Sequence, residues 1–99
     1  MVVVRIEHPV ADYEAWKGAF DADPADRRGS GVRRYRIFRA KDDPNSVMID
    51  LEFDTESEAE AMLASLREVW GRVQGTLISD PRGRIVDVVE TTEYTISTR

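Results

Sequence analysis

Apolar and polar residues alternate through the first segment of the chain. Over residues 2–7, Val2, Val4 and Ile6 fall on one side and Val3, Arg5 and Glu7 on the other, the period-two pattern of a half-buried strand. Asp12 can cap a helix that carries Tyr13, Trp16 and Phe20 along one stripe. That helix should end near Ala22, because Pro24 disfavours helix at Asp23. Residues 21–31 (DADPADRRGSG) are rich in charge and breakers and predict an exposed, mobile loop.

The remaining periods predict four more elements. Residues 32–40 read as a second strand, residues 42–46 (DDPNS) as a turn, and residues 47–53 as a third strand, so that the two form an antiparallel hairpin. On the third strand Val47, Ile49, Leu51 and Phe53 share one face; Met48, Asp50 and Glu52 share the other. Thr55 and Glu58 match a capping box in which each satisfies a free backbone donor. From Ala59, through Met62, Leu63, Leu66, Val69 and Trp70, to Val73 the spacing is helical. Gly71 and Gly75 weaken the end of this helix. Residues 80–83 (DPRG) form a turn, and residues 84–92 a fourth strand that residues 93–97 extend or follow with a short fifth.

Strand, helix, strand, strand, helix, strand is the order of the ferredoxin-like α+β fold, with an antiparallel sheet ordered 4-1-3-2 and both helices on one face. The chain has 99 residues, the size of a single domain. Its helix-covered face collects Val2, Val4 and Ile6 with Val47, Ile49, Leu51 and Phe53. The other face places Arg5 and Glu7 beside Asp50 and Glu52. It is either a solvated surface with weak ion pairs or the place where two sheets stack and the charges match across a homodimer.

Composition narrows the chemistry. With 41% hydrophobic and 33% charged residues the chain is globular rather than disordered. It has no cysteine, which excludes disulfides, thiolate catalysis and thiolate metal sites. The apolar run at Val2, Val3 and Val4 is too short for a signal core or a membrane span, so a cytoplasmic, non-membrane protein is expected. The net charge of −5 conceals seven basic residues and no acid between Arg27 and Lys41. This strip is either edge protection on the second strand or a surface for an anionic ligand or an acidic partner face. Nucleic acid is not the expected partner, because an RNA-reading sheet wants exposed aromatics on its third strand and SVMIDLEF offers aliphatics and carboxylates.

His8 is the only histidine. It keeps the parity of Val2, Val4 and Ile6, and Pro9 holds it extended, so it should point to the mouth between the sheet and the first helix, near Tyr13 and Trp16. There it can act as a general base or bond a substrate, or serve as a strand-end histidine bonded to local backbone. Trp16, Phe20, Phe38 and Trp70 lie on predicted buried stripes and suit either a core or a pocket for a flat apolar ligand. Tyr35 and Arg36 can add a hydroxyl and an anion partner, and Arg27 and Arg28 can close over a ligand from the loop. One histidine and scattered carboxylates make no recognisable metal shell, and no glycine-rich phosphate loop opens a helix, so no metal and no cofactor is expected.

The run HPVADYEAW (8–16), Phe20-Asp21, the Arg27-Arg28-x-x-Gly31 loop, Phe38-Arg39 and Asp43-Pro-Asn45 resemble small actinobacterial proteins of the dimeric α/β-barrel superfamily. These are often labelled cyclase-like or antibiotic-biosynthesis-monooxygenase-like, and the likeness covers roughly residues 2–70. The resemblance implies two ferredoxin-like subunits with their sheets face to face, forming a barrel with the helices outside. It implies a small-molecule enzyme, a cofactor-independent monooxygenase or a cyclase acting on an apolar aromatic or polyketide-like substrate, or else a non-catalytic binding or accessory homodimer. His8 is then the candidate catalytic residue, with Tyr13, Trp16, Tyr35, Arg36, Phe38 and Trp70 as candidate substrate-binding residues. Monooxygenase members place an asparagine and tryptophans around the pocket. Asn45 sits in the expected turn and neither tryptophan lies in a matching strand, so those roles are not carried over.

Overall fold

The computed structural model describes residues 1–96. Six elements follow in chain order: β1 (Val2–Pro9), α1 (Tyr13–Asp21), β2 (Arg34–Ala40), β3 (Asp43–Phe53), α2 (Glu56–Val73) and β4 (Arg82–Asp87). The strands form one antiparallel sheet in the order β2-β3-β1-β4. This is the expected ferredoxin-like α+β architecture.

The β1–β3 register sets Val2 opposite Phe53, Val4 opposite Leu51, Ile6 opposite Ile49 and His8 opposite Val47. All eight are buried. Trp16 from α1 and Ala59, Met62, Leu63 and Trp70 from α2 close over them. Burial of each large apolar side chain stabilises by ~1.5–3 kcal/mol relative to leaving it in water. Gly83 on β4 is where the helix layer comes closest, since a Cβ there would lie 2.8 Å from Leu63 and 2.9 Å from Trp70.

Both helix starts are capped as expected. The Ala15 N–H donates to the Asp12 carboxylate at 3.0 Å, and the Glu58 N–H to the Thr55 hydroxyl at 3.2 Å. Only half of the capping box forms, because the Glu58 carboxylate accepts the Thr55 hydroxyl at 3.0 Å instead of a backbone donor. Asp23 follows α1 in the left-handed region at φ 56°. Gly71 lies within α2, which ends at Val73; Gly75, at φ 89°, turns the chain away.

Several boundaries differ from the sequence reading. Val32 belongs to the loop, its N–H bonded to the Arg27 carbonyl. β3 begins at Asp43, which pairs with Ala40, while Arg39 pairs with Val47. Pro44, Asn45 and Ser46 therefore bulge from the β2–β3 ladder, while on the β1 side Ser46 pairs with Pro9 and the Asn45 carbonyl accepts the Val10 N–H at 2.8 Å. β4 stops at Asp87 because its only partner is β1, and Val2 is the last β1 residue it can meet. Residues 88–96 form no strand; Val89 and Tyr94 are 92% and 89% exposed. Ser97, the last residue of the expected extension, lies outside the described residues.

The loop over 22–33 is stapled rather than free. The Arg27 guanidinium donates to the Phe20 carbonyl at 2.8 Å, stacks 3.8 Å above the Phe20 ring and pairs with Asp23 at 3.4 Å. Three of the seven bases of the basic strip pair with acids of the same chain, Arg27 with Asp23, Arg33 with Asp54 and Arg34 with Glu52, while Arg36 and Arg39 lie over the rings of Phe38 and Tyr13.

On the outer sheet face, Arg36, Asp50, Arg5 and Arg84 share one cross-strand row. Arg5 clamps Asp50 through two hydrogen bonds of 2.9 and 2.8 Å, and Asp50 is buried beneath it. Glu52 lies opposite Val3, under Arg34. These acids are thus matched inside one chain and need no second copy. Arg5→Ala should leave the buried Asp50 carboxylate short of donors and lower stability by ~1–3 kcal/mol. Arg33→Ala, at a half-exposed pair with Asp54, should cost under ~1 kcal/mol. Urea unfolding of the two variants checks the order, and equal losses would contradict it.

Candidate functional site

A cavity of about 230 Å³ lies between the sheet and the helices. Its floor is Ile6, His8, Ile49 and Leu51; Trp16 and Phe20 of α1 face Leu66, Val69, Trp70 and Val73 of α2 across it. The small residues Ala19, Pro24 and Ala25 also line it. Leu77 and Ile78 complete the wall from the segment after α2. That segment is tied to the end of β1, with the Ala11 N–H donating to the Leu77 carbonyl at 3.1 Å and the Ser79 N–H to the Pro9 carbonyl at 3.2 Å.

His8 is 3% exposed. Its ring meets Trp16 edge-on, with centroids 5.8 Å apart. Its Nδ1 lies 3.2 Å from the Pro9 carbonyl. A carbonyl only accepts, so this bond requires the proton on Nδ1 and leaves the Nε2 lone pair of the neutral ring free. Among the described residues no buried side-chain nitrogen or oxygen lacks a partner. Nε2, which makes no protein hydrogen bond, therefore keeps some accessible surface. Burial pushes the imidazole below its ordinary value of 6.5, outweighing the backbone bonds that favour its charged form. The shift favours the neutral ring, the form that can accept a proton.

The structure brings His8, Trp16 and Trp70 together on the cavity wall. Tyr13 packs on the outer side of Trp16 at 5.7 Å, with Arg39 over its ring, and does not line the space. Tyr35 lies beyond Phe20, at 5.2 Å, beside a shallow basic depression formed with Arg27, Arg28 and Arg33. Arg36 and Phe38 belong to the other side of the sheet, paired with Asp50 and Met48. Parity is the reason: Tyr35, Ile37 and Arg39 face the helices, so the residues between them cannot. Grouping Arg36 and Phe38 with the pocket is therefore corrected.

Sequence reasoning weighed Phe20 as core or pocket without placing it among the candidate substrate-binding residues, and did not assign Arg72, Leu77 or Ile78 to the site. Phe20 had a signal, the same helical stripe as Trp16. Leu77 and Ile78 had only an apolar pair following Gly75. Among the described residues no group of three His, Cys, Asp or Glu side chains could hold a metal ion, and no helix is long and apolar enough to cross a membrane.

Because the folded-state value is lowered, the unfolded chain takes up the His8 proton first as pH falls below 6.5, and the folded state loses stability there. The ring resonances of His8 should titrate with a midpoint below 6.5. A component of stability should be lost as pH falls through 6.5 towards the lowered folded-state value, and this component should be missing in His8→Phe. An NMR midpoint at or above 6.5 would contradict the burial argument.

No protein-family model matches the chain, and no curated protein matches it. Solved structures do. The cofactor-independent oxygenase SnoaB from Streptomyces nogalater superposes with a TM-score of 0.73 at 15% identity, over 91% of this chain and 94% of that one. A candidate antibiotic biosynthesis monooxygenase from Nitrosomonas europaea gives 0.69 at 21% identity, over 91% of this chain and 100% of the other. A dimeric ferredoxin-like protein from an uncultured marine organism gives 0.67 at 8% identity, over 95% and 100%. At such identities the likeness is one of fold. The chain has the ferredoxin-like α+β fold found in antibiotic-biosynthesis-monooxygenase-like proteins.

Proposed function

We propose that the protein is a small-molecule enzyme that oxygenates an apolar aromatic substrate with dioxygen, without metal or organic cofactor, using His8 as the base. The observation that carries this reading is the open apolar cavity with a neutral imidazole in its floor. The fold match to a cofactor-independent oxygenase supports it. In the reaction, Nε2 of His8 takes a proton from a ring-activated CH₂ group or hydroxyl. The resulting carbanion or phenolate passes electrons to dioxygen. For a CH₂ group one oxygen atom remains as C=O and the other leaves as water, so no outside reductant is consumed. Cyclisation of a polyketide-like substrate would use the same proton abstraction without oxygen uptake.

A second reading, a non-catalytic binding or accessory protein, uses the same cavity. It is favoured by the cavity wall, where Arg27 and Arg72 are the ionisable residues beside His8 and the carboxyl groups near His8, Glu7 and Asp80, line a separate surface depression. Oxygen-electrode measurements with hydroxynaphthalenes separate the two. The enzyme reading expects oxygen uptake that falls ~10²–10⁴-fold in His8→Phe while the aromatics still bind. Binding with no uptake by the unmodified chain would favour the accessory reading, and full activity in His8→Phe would remove His8 as the base.

We also propose that the active form is a cytoplasmic homodimer formed through the outer sheet face. The fold match to a dimeric ferredoxin-like protein supports it, as do the half-exposed Phe38 and Met48 on that face and the exposed apolar Val89, Tyr94 and Ile96 that follow β4 in the chain. The cysteine-free composition supports a reducing compartment. Light scattering should give the mass of two chains; a single-chain mass at all concentrations would contradict the dimer.

A further inference from the structure

We infer that the cavity takes an aromatic ring system of one or two rings carrying a carboxylate, and that Arg72 holds the carboxylate at the mouth. This rests on the cavity being a ligand site. Size comes first. An apolar cavity of ~150 Å³ admits benzene, and pockets for drug-sized ligands run from ~300 Å³ upward. About 230 Å³ lies between these, room for one or two rings and too little for a four-ring polyketide to be enclosed.

Charge comes second. The residues lining the cavity include Arg27 and Arg72 and no aspartate or glutamate. Arg27 is already committed to the Phe20 carbonyl, the Phe20 ring and Asp23. Arg72, in the last turn of α2, is exposed and forms no ion pair among the described residues. Glu68, one helical turn before it, is not within salt-bridge distance. An apolar wall with a free guanidinium at its rim selects a ring with an anion and disfavours a cation. A planar guanidinium also matches a carboxylate with two parallel hydrogen bonds. The ordinary alternative is that Arg72 only complements the C-terminal end of the helix dipole, a role indifferent to the ligand's charge.

Calorimetry on the full chain distinguishes these roles with two probes of equal shape, 2-naphthoate and the neutral 2-naphthalenemethanol. At low salt the acid should bind about tenfold more tightly than the alcohol, and added salt should reduce the difference. Arg72→Ala should abolish the preference and Arg72→Lys keep part of it. Arg67→Ala, which removes the same charge from α2 away from the cavity, should leave it unchanged. Equal affinity for the two probes, or a preference that survives Arg72→Ala, overturns the inference while the alcohol's binding keeps the cavity as a ligand site. If neither probe binds, the cavity reading and this inference fall together.

Discussion

β1 is hydrogen-bonded along both edges, to β3 on one side and β4 on the other, and its pleat decides which side chains reach the candidate site. Val2, Val4, Ile6 and His8 point to the helices; Val3, Arg5 and Glu7 point away. A slip of one residue would send Val3 and Arg5 into the core and expose His8. The register is held from both faces. The apolar pairs with Phe53, Leu51, Ile49 and Val47 hold it on one, and the two hydrogen bonds between Arg5 and the buried Asp50 on the other. His8 is thus the last residue of a core row, which explains both its burial and its depressed basicity.

The cavity lies where two helices of unequal length face each other. α1 has nine residues and α2 eighteen, and the loop returning to β2 contributes only Pro24, Ala25 and the stapled Arg27 to the wall. On the far side Gly83 lets Trp70 and Leu63 press against β4, and the segment carrying Leu77 and Ile78 closes the end. The resulting space is walled by aromatics and aliphatics because the surrounding elements are the core-facing stripes of the domain. Its chemistry is concentrated in one imidazole and the arginines at the rim. The outer sheet face behaves differently, since most of its acids are matched by arginines of the same chain.

Local period accounts for the parts that were legible from the residues. Alternation placed His8 in the core row, and helical spacing placed Trp16 and Trp70 on stripes that meet above it. The same alternation, applied to the second strand, separates Tyr35 from Arg36 and Phe38; collecting aromatics and arginines by type rather than by parity put them on one side. Other features have no local signal. The pairs Arg34–Glu52 and Arg33–Asp54 join residues 18 and 21 positions apart, so the strip read as edge protection or as a surface for an anionic ligand or an acidic partner, not as ion pairs within the chain. The end of β4 is set by the length of β1 and not by the strand character of Val88 and Val89: the Val88 N–H still reaches the Met1 carbonyl at 3.1 Å, and Val89 is 92% exposed. Ile78 enters the core from an irregular segment in which no period exists to be read.

The central claim is that the space beside His8 is a ligand site and not a packing fault between helices of different length. A crystal structure of the protein soaked with a two-ring aromatic tests it most directly. The account predicts a ring in density between Trp16 and Trp70, with a polar atom of the ligand within hydrogen-bonding reach of His8 Nε2. A crystal in which Trp16, Phe20 and Leu77 have closed the space, leaving the aromatic elsewhere or absent, would contradict it.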